Sequence, residues 1–276
     1  MPELPEVQTI IDALKTEGVE GKCIRRARVY WPAIIATSKP QGFCRRIKNK
    51  RIKTIGRRGK FIVSQLSEGI FLIVHLRMTG RFDIDEHTAL RAPHVHVVLE
   101  LDDGRDLLYH DTRKFGRFYL TKNPDTVTGG LGTEPLDEHF TARKMVQMLK
   151  DRRRQIKPLL LDQGFLAGLG NIYVDEALWS SGIHPQRSAH SLTTSEAQNL
   201  YRSIRIVLRR AIANAGTSLG HGLGNYAGLN QKRGRNSAAL KVFRRTGESC
   251  LRCGYPIERI VVGQRGTHIC RKCQKK

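Results

Sequence analysis

The sequence predicts an α+β protein: an N-terminal helix, a β-rich domain, a helical domain and a terminal zinc-binding module. Three observations predict it. The apolar period is helical over residues 4–18, becomes short and alternating over 22–121, and turns helical again beyond 141. Four of the six cysteines crowd into the last 27 residues, as two C-x-x-C pairs. A chain of 276 residues has the length for two domains with cores of their own.

The opening "MPELPEVQTIIDALKTEG" places Leu4, Val7, Ile11 and Leu14 on one face, with Pro5 in the first turn, where proline is tolerated, and Gly18 and Gly21 closing the helix. "KFIVSQL", "IFLIVHL", "HVHVVLEL" and "FGRFYL" then read as strands of a sandwich or barrel, split by Gly, Asp and Pro. "LGTEPLDEHF" (131–140) reads as an interdomain hinge. Four helical stretches follow, "TARKMVQMLKDRRR", "IKPLLLDQ", "NIYVDEALWSSG" and "TTSEAQNLYRSIRIVLRRAIANAG"; the last opens on a capping box of Thr193 and Glu196 and stops at Gly216. The expected domains are therefore 1–135, 136–238 and a zinc finger at 239–276.

Composition narrows the function. A net charge of +23 and a pI near 10.3 point to a polyanion, nucleic acid above all. No stretch of 18 apolar residues appears, and the N-terminus lacks the basic and apolar regions of a signal peptide, so a cytoplasmic, nucleoid-associated monomer is expected. An anionic-membrane binder would need a basic amphipathic helix with a bulky apolar face, which is lacking.

Cys250-x-x-Cys253 and Cys270-x-x-Cys273, separated by 16 residues that fit a β-hairpin, read as a closed Cys₄ site for one structural Zn²⁺. His268 lies beside this set, but the four thiolates already complete it. Cys23 and Cys44 read as small buried residues. "GFLAGLGNIYVDEAL" supplies glycine turns, with Asn171 as the expected cap of the next helix and Lys157 adding charge nearby, an anion-binding pattern. The basic run 45–60 either tracks phosphates or is a solvated face. The loop 216–237 carries five glycines within thirteen positions and is expected to stay mobile until a ligand orders it; Thr217 and Ser218 offer donors and acceptors to a purine edge.

The opening "MPELPEV", the string "IKPLLLDQGFLAGLGNIYVDEALWSSGIHP" and the terminal Cys₄ module together resemble the formamidopyrimidine-DNA glycosylase / endonuclease VIII family, on its formamidopyrimidine branch. The resemblance spans the whole chain. It implies a β-sandwich with the N-terminal helix, a helix–two-turn–helix domain with a zinc finger, and damaged double-stranded DNA bound in the cleft. It also implies excision of oxidised purines such as 8-oxoguanine and formamidopyrimidines, followed by β,δ-elimination at the abasic site. Carried over, the nucleophile falls on Pro2 after loss of Met1, the general acid on Glu3 and a catalytic lysine on Lys60. Phosphate contacts fall on His94, Lys114, Arg152, Lys157, Asn171 and Arg265, the last also serving the second elimination. Met78, Arg113 and Phe115 match the residues that fill the gap left by an extruded base. Arg77 departs from the glycine the family more often has there, and Lys114 from a frequent arginine. A non-catalytic DNA-binding protein is the competing reading; Pro2 discriminates, because a pure binder has no need of a fixed N-terminal amine.

Overall fold

The computed structural model describes residues 1–86, 92–220 and 226–276. Two compact units emerge: residues 1–130 with 214–237, and residues 131–213 with 238–276. The break at Gly130/Leu131 falls at the start of the stretch read as a hinge. The segment 214–237, placed by sequence with the helices, packs within the first unit instead.

In the first unit, helix α1 (Leu4–Thr16) precedes strands β1 (Cys23–Val29), β2 (Lys50–Arg58), β3 (Phe61–Leu66), β4 (Phe71–His75), β5 (Arg81–Glu86), β6 (Val95–Leu101), β7 (Arg105–His110) and β8 (Arg117–Thr121). The strands pair antiparallel in the order β5-β7-β6-β1-β2-β3-β4-β8. The join between β1 and β2 is short, only Cys23 with Arg51 and Ile24 with Lys50, so two four-stranded layers can fold face to face. Alternation supplies the apolar faces: β3 buries Ile62, Ser64 and Leu66, and β8 buries Phe118 and Leu120. Tyr109 of one layer meets Phe118 of the other edge-on, ring centroids 4.9 Å apart, and α1 adds Val7, Ile10, Ile11 and Leu14 to the same core. This is the expected sandwich. It also contains helix α2 (Pro40–Ile47), anchored by Phe43 and Ile47, so the N-terminal end of the basic run 45–60 is helical before the chain enters β2.

The helices of the second unit are α4 (Ala142–Leu149), α5 (Ile156–Leu161), α6 (Asn171–Ser181) and α7 (Thr194–Ala213), with the short α3 (Asp125–Thr128) lying before the break. Helix α4 ends ahead of the "KDRRR" run that sequence assigned to it. The capping box of α7 is formed: the Thr193 N–H donates to Glu196 Oε2 at 2.8 Å and the Glu196 N–H to Thr193 Oγ1 at 3.2 Å. Helix α6 packs against α5 and α7, and every residue from Ile172 to Trp179 is buried. Strands β9 (Glu258–Val262) and β10 (Arg265–Ile269) form the expected hairpin. Its two-residue turn, Gly263 and Gln264, has φ of +54° and +62°, the paired left-handed conformation that fits strand twist. Among the described residues, no helix is long and apolar enough to cross a membrane.

Candidate functional site

The N-terminal segment is held in the sandwich unit. Pro2, Glu3 and Glu6 are buried, while Met1 is 47% exposed. Glu6 does more than an acid in a first helical turn, where a negative charge only favours the helix N-terminus. One carboxylate oxygen accepts the Glu3 N–H at 2.9 Å and the other accepts the Thr217 N–H at 2.8 Å. One buried carboxylate therefore ties the N-terminus to the 214–237 segment. Lys60 sits in the tight Gly59–Lys60 turn between β2 and β3, 6% exposed. Burial pulls the terminal amine of Met1 below its ordinary value; Glu3 and Glu6 oppose this, and the cations of Lys60 and Arg113 add to it. His75, under the edge of the Phe61 ring at 4.5 Å, is driven down to about 3 by burial and by Arg77 and Lys60. It is therefore neutral at physiological pH, and its Nδ1 accepts the Arg77 N–H at 2.9 Å.

Met78, Arg113, Lys114 and Phe115 sit on two turns of the same unit, one after β4 and one after β7. Phe115 is 47% exposed, an unusual place for a phenyl ring, and the Arg113 guanidinium stacks 4.7 Å from its centroid. Met1, Arg77, Met78, Phe115 and Arg117 line a cavity of about 370 Å³. Arg77, His94 and Lys114 have φ of +55°, +64° and +57°, a conformation that glycine adopts more cheaply. His94 is exposed, and the Lys114 ammonium lies 4.3 Å over Trp31.

Thr217 and Ser218 are 2% and 4% exposed, and their hydroxyls are engaged within the unit. Asn236 Nδ2 donates to Thr217 Oγ1 at 2.9 Å, the Gly234 N–H donates to Ser218 Oγ at 2.9 Å, and Ser218 Oγ donates to the Tyr226 carbonyl at 2.7 Å. Gly222 and Gly224 of the expected mobile loop lie outside the described residues.

In the second unit the structure revises two expectations. Lys157 is completely buried: its Nζ donates to Asp175 Oδ1 at 2.6 Å, Thr267 Oγ1 at 2.8 Å and the Gly266 carbonyl at 3.2 Å. That saturates an ammonium's three donors, so a direct phosphate contact does not follow from this geometry. Asn171 does not cap α6; Gly170 holds that position, and Asn171 Nδ2 donates to the Gly266 carbonyl at 2.9 Å. Both side chains converge on the start of β10, directly after the exposed Arg265. Asp175 completes the brace by accepting the His268 N–H at 2.9 Å. Two adjacent acids, Asp175 and Glu176, inside the buried run of α6 were the signal for it. Arg152 is exposed after α4.

The four sulfurs of Cys250, Cys253, Cys270 and Cys273 lie within 4.8 Å of one another. Separations of 3.9 Å, 3.5 Å and 3.4 Å fit tetrahedral zinc thiolate, where Zn–S of about 2.3 Å sets S···S near about 3.8 Å. The residues fit one structural zinc. The Trp179 indole N–H points at Cys250 Sγ at 3.4 Å, and the Glu176 carboxylate accepts the backbone N–H groups of Lys241, Val242 and Phe243 at 2.8–3.0 Å, fixing the entry to the module.

Comparison with known proteins agrees with this architecture. The formamidopyrimidine-DNA glycosylase N-terminal domain matches residues 1–118, the H2TH domain of the same family matches 131–221, and the zinc finger found in FPG and IleRS matches 247–276. Formamidopyrimidine-DNA glycosylase of Protochlamydia amoebophila is 46% identical, covering 100% of both chains, and that of Herpetosiphon aurantiacus 45%, covering 99% and 100%. A crystal structure of a Lactococcus lactis FPG mutant in complex with Fapy-dG-containing DNA has a TM-score of 0.91 at 35% identity, covering 100% of both chains. A complex of the Lactococcus lactis Fpg with abasic-site DNA has a TM-score of 0.90 at 33% identity, covering 99% of this chain and 100% of that one. With all three domains matched in order and its relatives covered end to end, this chain belongs to the formamidopyrimidine-DNA glycosylase family, the DNA glycosylases of base excision repair.

Proposed function

We propose that this protein binds duplex DNA at the nucleoid, excises oxidised purines such as 8-oxoguanine and formamidopyrimidines, and then cuts the strand at the resulting abasic site. The Lactococcus lactis relatives hold Fapy-dG and abasic-site DNA, and the charge of +23 suits the same polyanion. The observation that carries the reading is the N-terminal segment itself: Pro2, Glu3 and Lys60 are all buried in the sandwich unit, and the charges of Glu3, Lys60 and Arg113 act on the amine of Met1, the residue directly before Pro2.

Removal of Met1 turns the Pro2 nitrogen from a tertiary amide into a free secondary amine. A terminal amine has a reference pKa of about 7.7–8.0 against about 10.4 for lysine, so it is a few-hundred-fold richer in free base near neutrality. That amine attacks C1′, the bond from C1′ to the base breaks, and Glu3 protonates the ring oxygen as the sugar opens. The resulting iminium keeps its positive charge and acts as an electron sink. Loss of a C2′ proton expels the 3′ phosphate, and the second elimination, at which Arg265 acts, expels the 5′ phosphate. Reaching C1′ requires extruding the nucleotide, which costs a few kcal/mol; Met78 and Phe115 fill the gap and Arg113 meets the orphaned base. His94, Lys114, Arg152 and Arg265 contact phosphates. Lys157 and Asn171 act on the same contacts by fixing β10 behind Arg265. The family resemblance assigns the capping of the extruded base to the stretch 216–237. Zinc holds the finger and takes no part in a step.

Single-turnover assays on duplexes carrying 8-oxoguanine opposite cytosine, and on a ready-made abasic site, test the reading. Excision and strand cutting are both expected. Binding without either would leave a non-catalytic DNA-binding protein.

A further inference from the structure

Two turns carry the residues that the proposed function sends into the duplex, and one buried side chain connects them. Asp111 is completely buried. Its Oδ1 accepts the Thr79 hydroxyl of the turn after β4 and the Arg113 N–H at 3.2 Å; its Oδ2 accepts the Gly116 N–H at 2.7 Å. The Thr79 hydroxyl oxygen in turn accepts the Arg113 N–H at 3.2 Å. The Asp111 carbonyl meets His96 Nε2 at 2.8 Å, and its N–H donates to the His94 carbonyl at 3.0 Å, so the clamp is fastened to β6 as well.

Packing repeats the link. Tyr109 is fully buried and its hydroxyl has no hydrogen-bond partner among the described residues. A Cβ added at Gly80 would lie 2.2 Å from that hydroxyl oxygen, and one at Gly116 would lie 1.9 Å from it. Glycines on both turns therefore close onto the same atom. Met78 lies next to Thr79, Arg113 carries one of the two N–H groups that Asp111 holds, and Lys114 and Phe115 lie between it and the other, on Gly116.

We infer that Asp111 is a positioning residue that, with Thr79 and Tyr109, holds the turns bearing Met78, Arg113 and Phe115 at the spacing needed to wedge a base step apart. The inference rests on the wedge roles proposed above. A carboxylate suits the task because it accepts at both oxygens. Asn cannot: whichever way its amide turns, its NH₂ faces either the Arg113 or the Gly116 N–H, and the turn after β7 loses one of its two backbone anchors.

The test compares excision of 8-oxoguanine from a fully paired duplex with excision of the same lesion from a bulge, where little unstacking remains to be done. Asp111→Asn and Thr79→Val are measured beside Phe115→Ala. Thr79→Val keeps the shape of the side chain and removes the hydroxyl, so it decides the matter alone should Asp111→Asn fail to fold. Both variants should slow excision from the paired duplex on the order of tenfold, with much of that loss restored in the bulge. Equal losses in the two contexts, with Phe115→Ala still discriminating between them, would show that Asp111 only stabilises the fold. Absence of discrimination in Phe115→Ala would remove the wedge reading, and the inference with it.

Discussion

Lys157→Ala separates what the sequence suggests from what the structure shows. Lys157 and Asp175 are both fully buried and paired at 2.6 Å. Truncation leaves the Asp175 carboxylate without its cation, and Thr267 and Gly266 without their donor. Stranding one member of a buried ion pair costs about 3–5 kcal/mol. Against a whole-domain stability of about 5–15 kcal/mol, that is a large fraction. The loss should fall on the second unit, because Asp175 also holds the His268 N–H and Lys157 the Gly266 carbonyl, so the base of the β9–β10 hairpin loosens. Urea unfolding followed by circular dichroism measures the stability, and DNA affinity across a salt series of roughly 50 to 200 mM measures the phosphate contacts. The expected outcome is a marked drop in urea midpoint together with weaker DNA binding. A wild-type unfolding curve, with a salt slope reduced by about 0.9, would mean that Lys157 contacts a phosphate directly, and would refute the reasoning from burial.

Three further outcomes follow from particular groups. Metal analysis should return one zinc per chain, and chelation should unfold the 247–276 module and weaken DNA binding, since structural zinc binding is folding free energy. His75 should make the fold acid-labile: its folded value of about 3 lies below the 6.5 of the unfolded chain, so the unfolded state binds the extra proton and stability is lost as pH falls from 6.5 toward 3. Unfolding free energy in that window should decline by up to about 1.4 kcal/mol per pH unit through this residue, and His75→Asn should flatten the slope by about one proton. Glu6→Gln should cost about 1–3 kcal/mol, because an amide NH₂ then faces either the Glu3 or the Thr217 N–H; an unchanged thermal midpoint would argue against the tie between the N-terminus and the 214–237 segment.

Much of this molecule was legible before its structure. Short apolar or alternating runs marked β3, β4, β6 and β8 but not β1, β2, β5 or β7; the Thr193/Glu196 pair marked the start of α7, and cysteine spacing the metal centre, because each is a local pattern with a local cause. Helix α2 was missed because its two buried anchors, Phe43 and Ile47, are one turn apart in a basic stretch and set up no repeat. The burial of Lys157 was hidden because its partners, Asp175, Gly266 and Thr267, lie 18, 109 and 110 residues away. The contacts of Glu6 and Asp111 were hidden for the same reason. Their partners at Thr217 and Thr79 are 211 and 32 residues distant, and a carboxylate in a sequence does not announce which backbone amides it will meet.

The central claim is that the N-terminal amine does the chemistry. Borohydride reduction of the enzyme on DNA carrying 8-oxoguanine, followed by mass spectrometry of the cross-linked peptide, tests it most directly. The account predicts one covalent adduct, at the nitrogen of Pro2 in protein that has lost Met1, and none in protein that retains it. An adduct on Lys60, or trapping at the normal rate by protein that keeps Met1, would contradict it.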